Sequence, residues 1–108
     1  MKIKINEKEY DLHYSLRIYM IYENVANKAL DNSNLKISDL ILLFYAAVVA
    51  TLQYNKADLI SYLEFLDYID DNGGEQLITE FGDWFSGQLM AQSKLQQEAP
   101  KTKDNKKK

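Results

Sequence analysis

One segment of this sequence brings acidic side chains and glycines together in a pattern that could bind calcium. Residues 67–80 read DYIDDNGGEQLITE. A calcium loop of the EF-hand type needs oxygen ligands at positions 1, 3 and 5, a glycine at position 6 and a glutamate at position 12. Placing Gly73 at position 6 puts Tyr68 at position 1, and placing Gly74 there puts Ile69 at position 1. Neither register supplies the first ligand, so we interpret the segment as an acidic connection between two helices and predict no metal site.

The residues that usually act as nucleophiles or bases are also sparse. The chain has no cysteine, and His13 is its only histidine, placed at an outward position of a predicted strand. No phosphate-binding glycine motif and no G-x-S-x-G motif occurs. Carboxylates are common, but their spacing does not separate an acid–base pair from a solvated acidic surface. We therefore predict that the protein is not an enzyme and has no catalytic residue and no cofactor.

Charge is unevenly distributed along the 108 residues. The last ten residues hold five lysines and one aspartate, a charge of +4, so residues 1 to 98 carry −7 of the overall −3. An acidic body argues against specific nucleic-acid binding, because phosphate contacts need clustered Lys and Arg. We predict a single domain over residues 1–97 and a flexible, lysine-rich, disordered tail over residues 98–108. The absence of cysteine and of an apolar leader segment predicts a cytoplasmic protein.

The N-terminus alternates between apolar and polar residues, as a small β-hairpin does. We predict a hairpin over residues 2–14, joined either by Glu7 and Lys8 or by the four residues 6–9. Either connection places Ile5 opposite Tyr10 and Ile3 opposite Leu12 on the covered face. The turn has no glycine, because Glu7 follows Asn6, and this favours a connection longer than two residues. A two-stranded ribbon is marginal alone, so the hairpin must pack on helices.

The rest of the chain has helical periodicity, which makes the predicted fold α+β, mostly α, with the hairpin packed on a bundle of about four helices. Expected caps are Ser15 for the first helix and Asn55 with Asp58 for the third. Residues 40–52 are nearly all apolar and predict a central helix that is too short to span a bilayer. The expected helices cover about residues 15–30, 38–53, 56–70 and 75–92, and the first buries a face of Ile18, Ile21, Tyr22, Val25 and Ala29.

An aromatic stripe on the last helix is the strongest candidate for a functional surface. Two interpretations stay open: the stripe packs the core, or it docks a partner, since aromatic residues dominate interface hot spots. Gly82 and Gly87 weaken this helix and would permit the close approach of another backbone. The stripe consists of Leu77, Phe81, Trp84, Phe85 and Leu89.

The order of these elements resembles the tail assembly chaperones of long-tailed, siphophage-like bacteriophages, encoded by phages or prophages. The resemblance lies in the hairpin MKIKINEKEYDLHYSLR, the following IYMIYENVANKAL, and an acidic helix of the LEFLDYIDD kind. Small members of that group begin with a K-[IV]-x-[IV]-N-G-K-x-Y-x-L-x-[FY] hairpin. This sequence departs from that pattern at Glu7, where the family has glycine.

The resemblance implies that the protein binds the tape measure protein and keeps it soluble in the bacterial host cytoplasm during tail morphogenesis. It also implies the tail tube protein as a candidate partner. The dense apolar content of residues 40–52 and of the stripe on the last helix makes a homo-oligomer a further expectation, and the short apolar run predicts no membrane partner. The alternative is a small bacterial adaptor or regulator that binds another protein through the same helical face. Neither role needs a catalytic group.

Overall fold

The computed structural model describes the backbone of residues 1–31 and 33–103, and the side chains of residues 1–31 and 33–91. An N-terminal antiparallel hairpin precedes four helices, which confirms the predicted, mostly α, fold. The elements in chain order are β1 (Lys2–Ile5), β2 (Lys8–Asp11), α1 (Leu16–Ala26), α2 (Ile37–Tyr54), α3 (Tyr62–Asp71) and α4 (Glu75–Lys103).

The hairpin has the predicted faces but not the predicted register. Ile5 lies opposite Lys8, and Ile3 lies opposite Tyr10. The predicted pairing was wrong because the turn contains only Asn6 and Glu7, with φ angles of 52° and 65°. A two-residue turn needs this left-handed conformation at both positions, and asparagine tolerates it better than most residues. The register differs by an even number of residues, so the isoleucines still face the core.

Helices α1 and α2 form an antiparallel pair. Near the start of α1, Arg17 Nη1 donates to Gln53 Oε1 at 3.2 Å, close to the end of α2. Near the other end of the pair, the Tyr22 hydroxyl donates to Asp39 Oδ1 at 3.0 Å. Helix α1 ends earlier than predicted, at Ala26, because Asn27 adopts a left-handed conformation (φ 59°) that terminates it.

Helix α2 is the central helix of the fold, as predicted. Leu43, Phe44, Ala47 and Val48 have no exposed surface at all. The prediction that this helix is too short to span a bilayer was wrong, because α2 extends beyond residues 40–52 at both ends. Among the described helices, it is the one that is long and apolar enough to cross a membrane by length and composition. However, 56% of it is buried inside the protein, and the core helices of soluble proteins meet the same criterion.

The connection from α2 to α3 corrects the predicted cap. Asn55 lies at the end of α2, where its side-chain amide donates to Thr51 O at 2.8 Å, so it cannot begin the next helix. Lys56 follows with a φ of 56° and closes the end of α2. Helix α3 begins instead after Ser61, whose hydroxyl accepts from the Glu64 N–H at 3.1 Å while the Glu64 carboxylate accepts from the Ser61 N–H at 2.8 Å. This reciprocal pair is a capping box.

The acidic segment 67–80 contains the connection between two helices, as interpreted from the sequence, but most of it is helical. Helix α3 runs to Asp71 and α4 begins at Glu75, so only residues 72–74 lie between them. The Gly74 N–H donates to Ile69 O at 2.9 Å, and Gly73 has a φ of 112°, which closes the end of α3. Helix α4 then extends to Lys103, well past the predicted end near residue 92. The predicted flexible tail covers residues 98–108. Its backbone belongs to α4 as far as Lys103, whereas its side chains, and its backbone from residue 104 onward, lie outside what is described.

Candidate partner-docking surface

The aromatic stripe of α4 lies largely inside the protein. Phe81 is fully buried and Phe85 is 2% exposed. Phe81 stacks on Phe44 of α2 with ring centroids 4.6 Å apart, and Phe85 packs against Tyr14 at 6.0 Å. Leu77 is also buried. The sequence left open whether the stripe packs the core or docks a partner. These three residues pack the core.

The remaining two residues of the stripe lie at its edge. Trp84 and Leu89 are partly buried and pack against the core. The Trp84 ring meets Phe81 at 5.9 Å and Tyr14 at 6.3 Å. That a partner binds this stripe stays a prediction, and the area left for such a partner is confined to these two side chains.

Helix α1 carries three of the large apolar side chains that are exposed in the described part of the chain. Leu16 is 77% exposed, Met20 is 70% exposed and Val25 is 45% exposed, all within an 11-residue helix. The sequence placed Val25 on the buried face, which is wrong. The helix rests on its neighbours through Ile18 and Tyr22, and the side of the helix that carries Val25 is left uncovered by the described residues.

This uncovered side of α1 forms one wall of an open groove of about 670 Å³, and α2 forms the other. The three α2 residues of the wall are spaced four apart, so they form a single stripe along that helix. A groove between two antiparallel helices with an apolar floor has the shape that accepts a third, amphipathic helix. We call it the α1–α2 groove; its lining residues are Arg17, Met20, Ile21, Asn24, Val25, Tyr45, Val49 and Gln53.

On the α2 wall of the groove, the side chain of Tyr45 is fixed by contacts with the segment around α3. Its hydroxyl donates to Ile60 O at 2.9 Å, and its ring packs edge-on against Tyr62 with centroids 5.2 Å apart. Burial raises the pKa of the Tyr45 hydroxyl, and the charge of Glu64 adds to that effect. The side chain is therefore a neutral and fixed part of the groove at physiological pH.

A buried polar cluster links the end of α1 to the start of α2. Asp39 is 6% exposed, and its Oδ1 lies 3.0 Å from the Tyr22 hydroxyl and 3.1 Å from Lys28 Nζ. Its Oδ2 accepts from the Lys36 N–H at 3.1 Å. Hydrogen bonds from Lys36, Lys28 and Tyr22 hold the pKa of Asp39 below its usual range. Burial and the bond to Asp39 raise the pKa of Tyr22 to about 12.

His13 packs against α2 and is only half-buried. Its ring stacks on Tyr54 with centroids 4.0 Å apart and an interplanar angle of 13°, and its backbone N–H donates to Thr51 Oγ1 at 2.9 Å. Over the described part of the chain, no group of three or more His, Cys, Asp or Glu residues is placed to hold a metal ion. His13 thus joins the hairpin to α2.

The sequence did contain a signal for the α1–α2 groove. Leu16 and Met20 lie outside the helical face defined by Ile18 and Tyr22, so α1 has more apolar residues than one buried face can use. Of the two, Met20 lines the groove and Leu16 does not. Such a surplus on a short helix indicates a second contact surface.

Comparison of the chain with protein-family models, with curated proteins and with solved structures found no match.

Proposed function

We propose that this protein is a tail assembly chaperone of a long-tailed bacteriophage or prophage. It binds helices of the tape measure protein and keeps them soluble in the host cytoplasm until the tail tube forms around them. The observation that carries the proposal is the α1–α2 groove, an apolar surface left open on a small helical protein. The order of hairpin and helices, similar to that of this family, supports the same role.

The groove suits the task of holding long amphipathic helices. A helix that docks there would cover Met20 and Val25, which are otherwise in contact with water, and would bury its own apolar stripe. The rest of the surface is acidic, with a charge of −7 over residues 1–98. Net charge of one sign keeps a complex soluble and opposes aggregation of the covered client.

A bacterial adaptor or regulator that binds a helix of another protein is the second candidate. The same groove favours it, because an apolar floor of this kind accepts amphipathic helices from several sources. The two candidates differ in the partner and not in the chemistry of the site. The identity of neighbouring genes therefore discriminates between them.

The first test is to sequence the DNA on both sides of the gene. We expect a tail tube gene upstream and a very long gene for a helical protein downstream. The downstream protein is then produced with and without this chain, and its soluble fraction is measured. Solubility that depends on this chain supports the proposal, whereas neighbours unrelated to phage structure, or no change in solubility, would replace it with the adaptor.

A further inference from the structure

The α1–α2 groove contains the single arginine of the chain. All other cationic side chains are lysines, apart from His13. Arg17 has no carboxylate within ion-pair distance among the described residues, and its one hydrogen bond is to the neutral Gln53 amide. A guanidinium carries five N–H donors, so most of them are left for a partner. An arginine in this position is a candidate anchor for a carboxylate.

The rest of the groove lining contains no acidic residue, although residues 1–98 carry a net charge of −7. The polar groups that accompany Arg17 are the uncharged amides of Asn24 and Gln53. An acidic partner would be repelled by most of this protein's surface but not by the groove. Charge complementarity therefore favours a partner whose acidic group reaches Arg17.

The position of Arg17 along the groove restricts where that acidic group lies. Arg17 and Asn24 are seven positions apart on α1, which corresponds to about 10 Å, or two helical turns. The floor between them is apolar, with Met20, Ile21 and Val49. A helix docked in the groove would therefore bury about two turns of its apolar stripe. One end of that stripe would lie beside Arg17, and the acidic residue belongs at that end.

We propose that the α1–α2 groove selects amphipathic helices that carry a carboxylate at one end of their apolar stripe, with Arg17 as the residue that binds it. The inference rests on the proposed function, since it specifies which helical segments of the client are bound. Arginine fits this role better than lysine, because its planar fork of donors matches a carboxylate in two parallel hydrogen bonds.

The test uses two synthetic helical peptides of about 20 residues with the same leucine stripe. One carries glutamates at both ends of the stripe and the other carries lysines there, so that binding in either direction is detected. Dissociation constants for the full chain are measured by fluorescence anisotropy at low and at high salt. We expect the glutamate peptide to bind about 3- to 10-fold more tightly at low salt.

The variant Arg17→Glu should reverse this preference, so that the lysine peptide becomes the tighter ligand. Lys4→Glu is the matched control, because it changes the net charge equally at an exposed position of β1 outside the groove. It should shift both affinities slightly and leave the preference for glutamate intact. Thermal unfolding of both variants verifies that the fold is retained.

Three outcomes would overturn the inference. If the wild-type chain binds both peptides equally while Met20→Ser weakens both, the groove binds helices but does not read their charge, and the proposed function stands without this specificity. If Lys4→Glu changes the preference as much as Arg17→Glu, only net charge matters. If neither peptide binds, the groove is not a helix site, and the proposed function loses its main support as well.

Discussion

The exposed methionine of the α1–α2 groove allows a quantitative prediction about partner binding. Met20 is 70% exposed, and full burial of a methionine side chain contributes about 1.5–3 kcal/mol. A helix docked in the groove would cover most of that exposed fraction, so the contact is worth about 1–2 kcal/mol. Met20→Ser should therefore weaken binding of the glutamate peptide by about 5- to 30-fold. Isothermal titration calorimetry with the full chain measures this change.

The chain offers a closely matched control. Met90 is 68% exposed on α4 and does not line the groove. Met90→Ser removes the same amount of apolar surface but should leave the dissociation constant within a factor of about 2. Both variants should unfold within a few degrees of the wild type, because neither side chain is in the core. Equal loss of affinity in the two variants, or loss in Met90→Ser alone, would refute the assignment of the groove.

Three further predictions concern stability. Tyr22→Phe removes the hydroxyl that donates to Asp39 at 3.0 Å and should lower the free energy of unfolding by about 1 kcal/mol. Differential scanning calorimetry should show a fall in Tm of about 4 °C. An unchanged Tm would mean that this hydrogen bond does not stabilise the contact between α1 and α2. The folded pKa of Asp39 is lowered, so its contribution is present above a pH of about 4 and is lost as the pH falls below that value. The Tm difference between wild type and Asp39→Asn should accordingly shrink between pH 7 and pH 3, and a constant difference would exclude the carboxylate charge as its cause. Gly82→Ala should raise the free energy of unfolding, measured in urea, by about 0.5–1 kcal/mol, because alanine favours a helix more than glycine does. The added Cβ has room, since nothing lies within 4 Å of it. A loss of stability would mean that another group occupies the space next to Gly82.

The fold was largely predictable because periodicity alone places its elements. In the hairpin, alternation fixes which side chains share a face, and so Ile3 and Ile5 were correctly placed in the core. The register was not predictable, since it depends on Glu7 adopting a left-handed conformation that this residue type disfavours. The even shift in register kept the faces correct in spite of the wrong turn.

Helix boundaries failed where two sequence signals competed. Asn55 with Asp58 and Ser61 with Glu64 are both plausible capping pairs in the sequence. The choice between them depends on where α2 ends, and that end is set by the packing of its buried residues and by Lys56. Such tertiary effects override local propensity.

The candidate site was the least predictable part. The stripe containing Phe81 and Phe85 is the most aromatic surface in the sequence, and for the same reason it fills the core. The α1–α2 groove depends on which side of α1 is left uncovered after α2 and α4 have packed. In the sequence, Val25 has the type and the spacing of a core residue. It differs from one only because no other element of the described fold covers its side chain.

The most direct test of the central claim is to map where a client helix binds. The full chain, labelled with ¹⁵N, is titrated with a helical segment of the protein encoded downstream, and amide chemical shifts are followed by NMR. We predict the largest changes along the groove, at Arg17, Met20, Val25 and Val49. Changes centred on Trp84 and Leu89 of α4, or no changes with a segment that this chain keeps soluble, would contradict that claim.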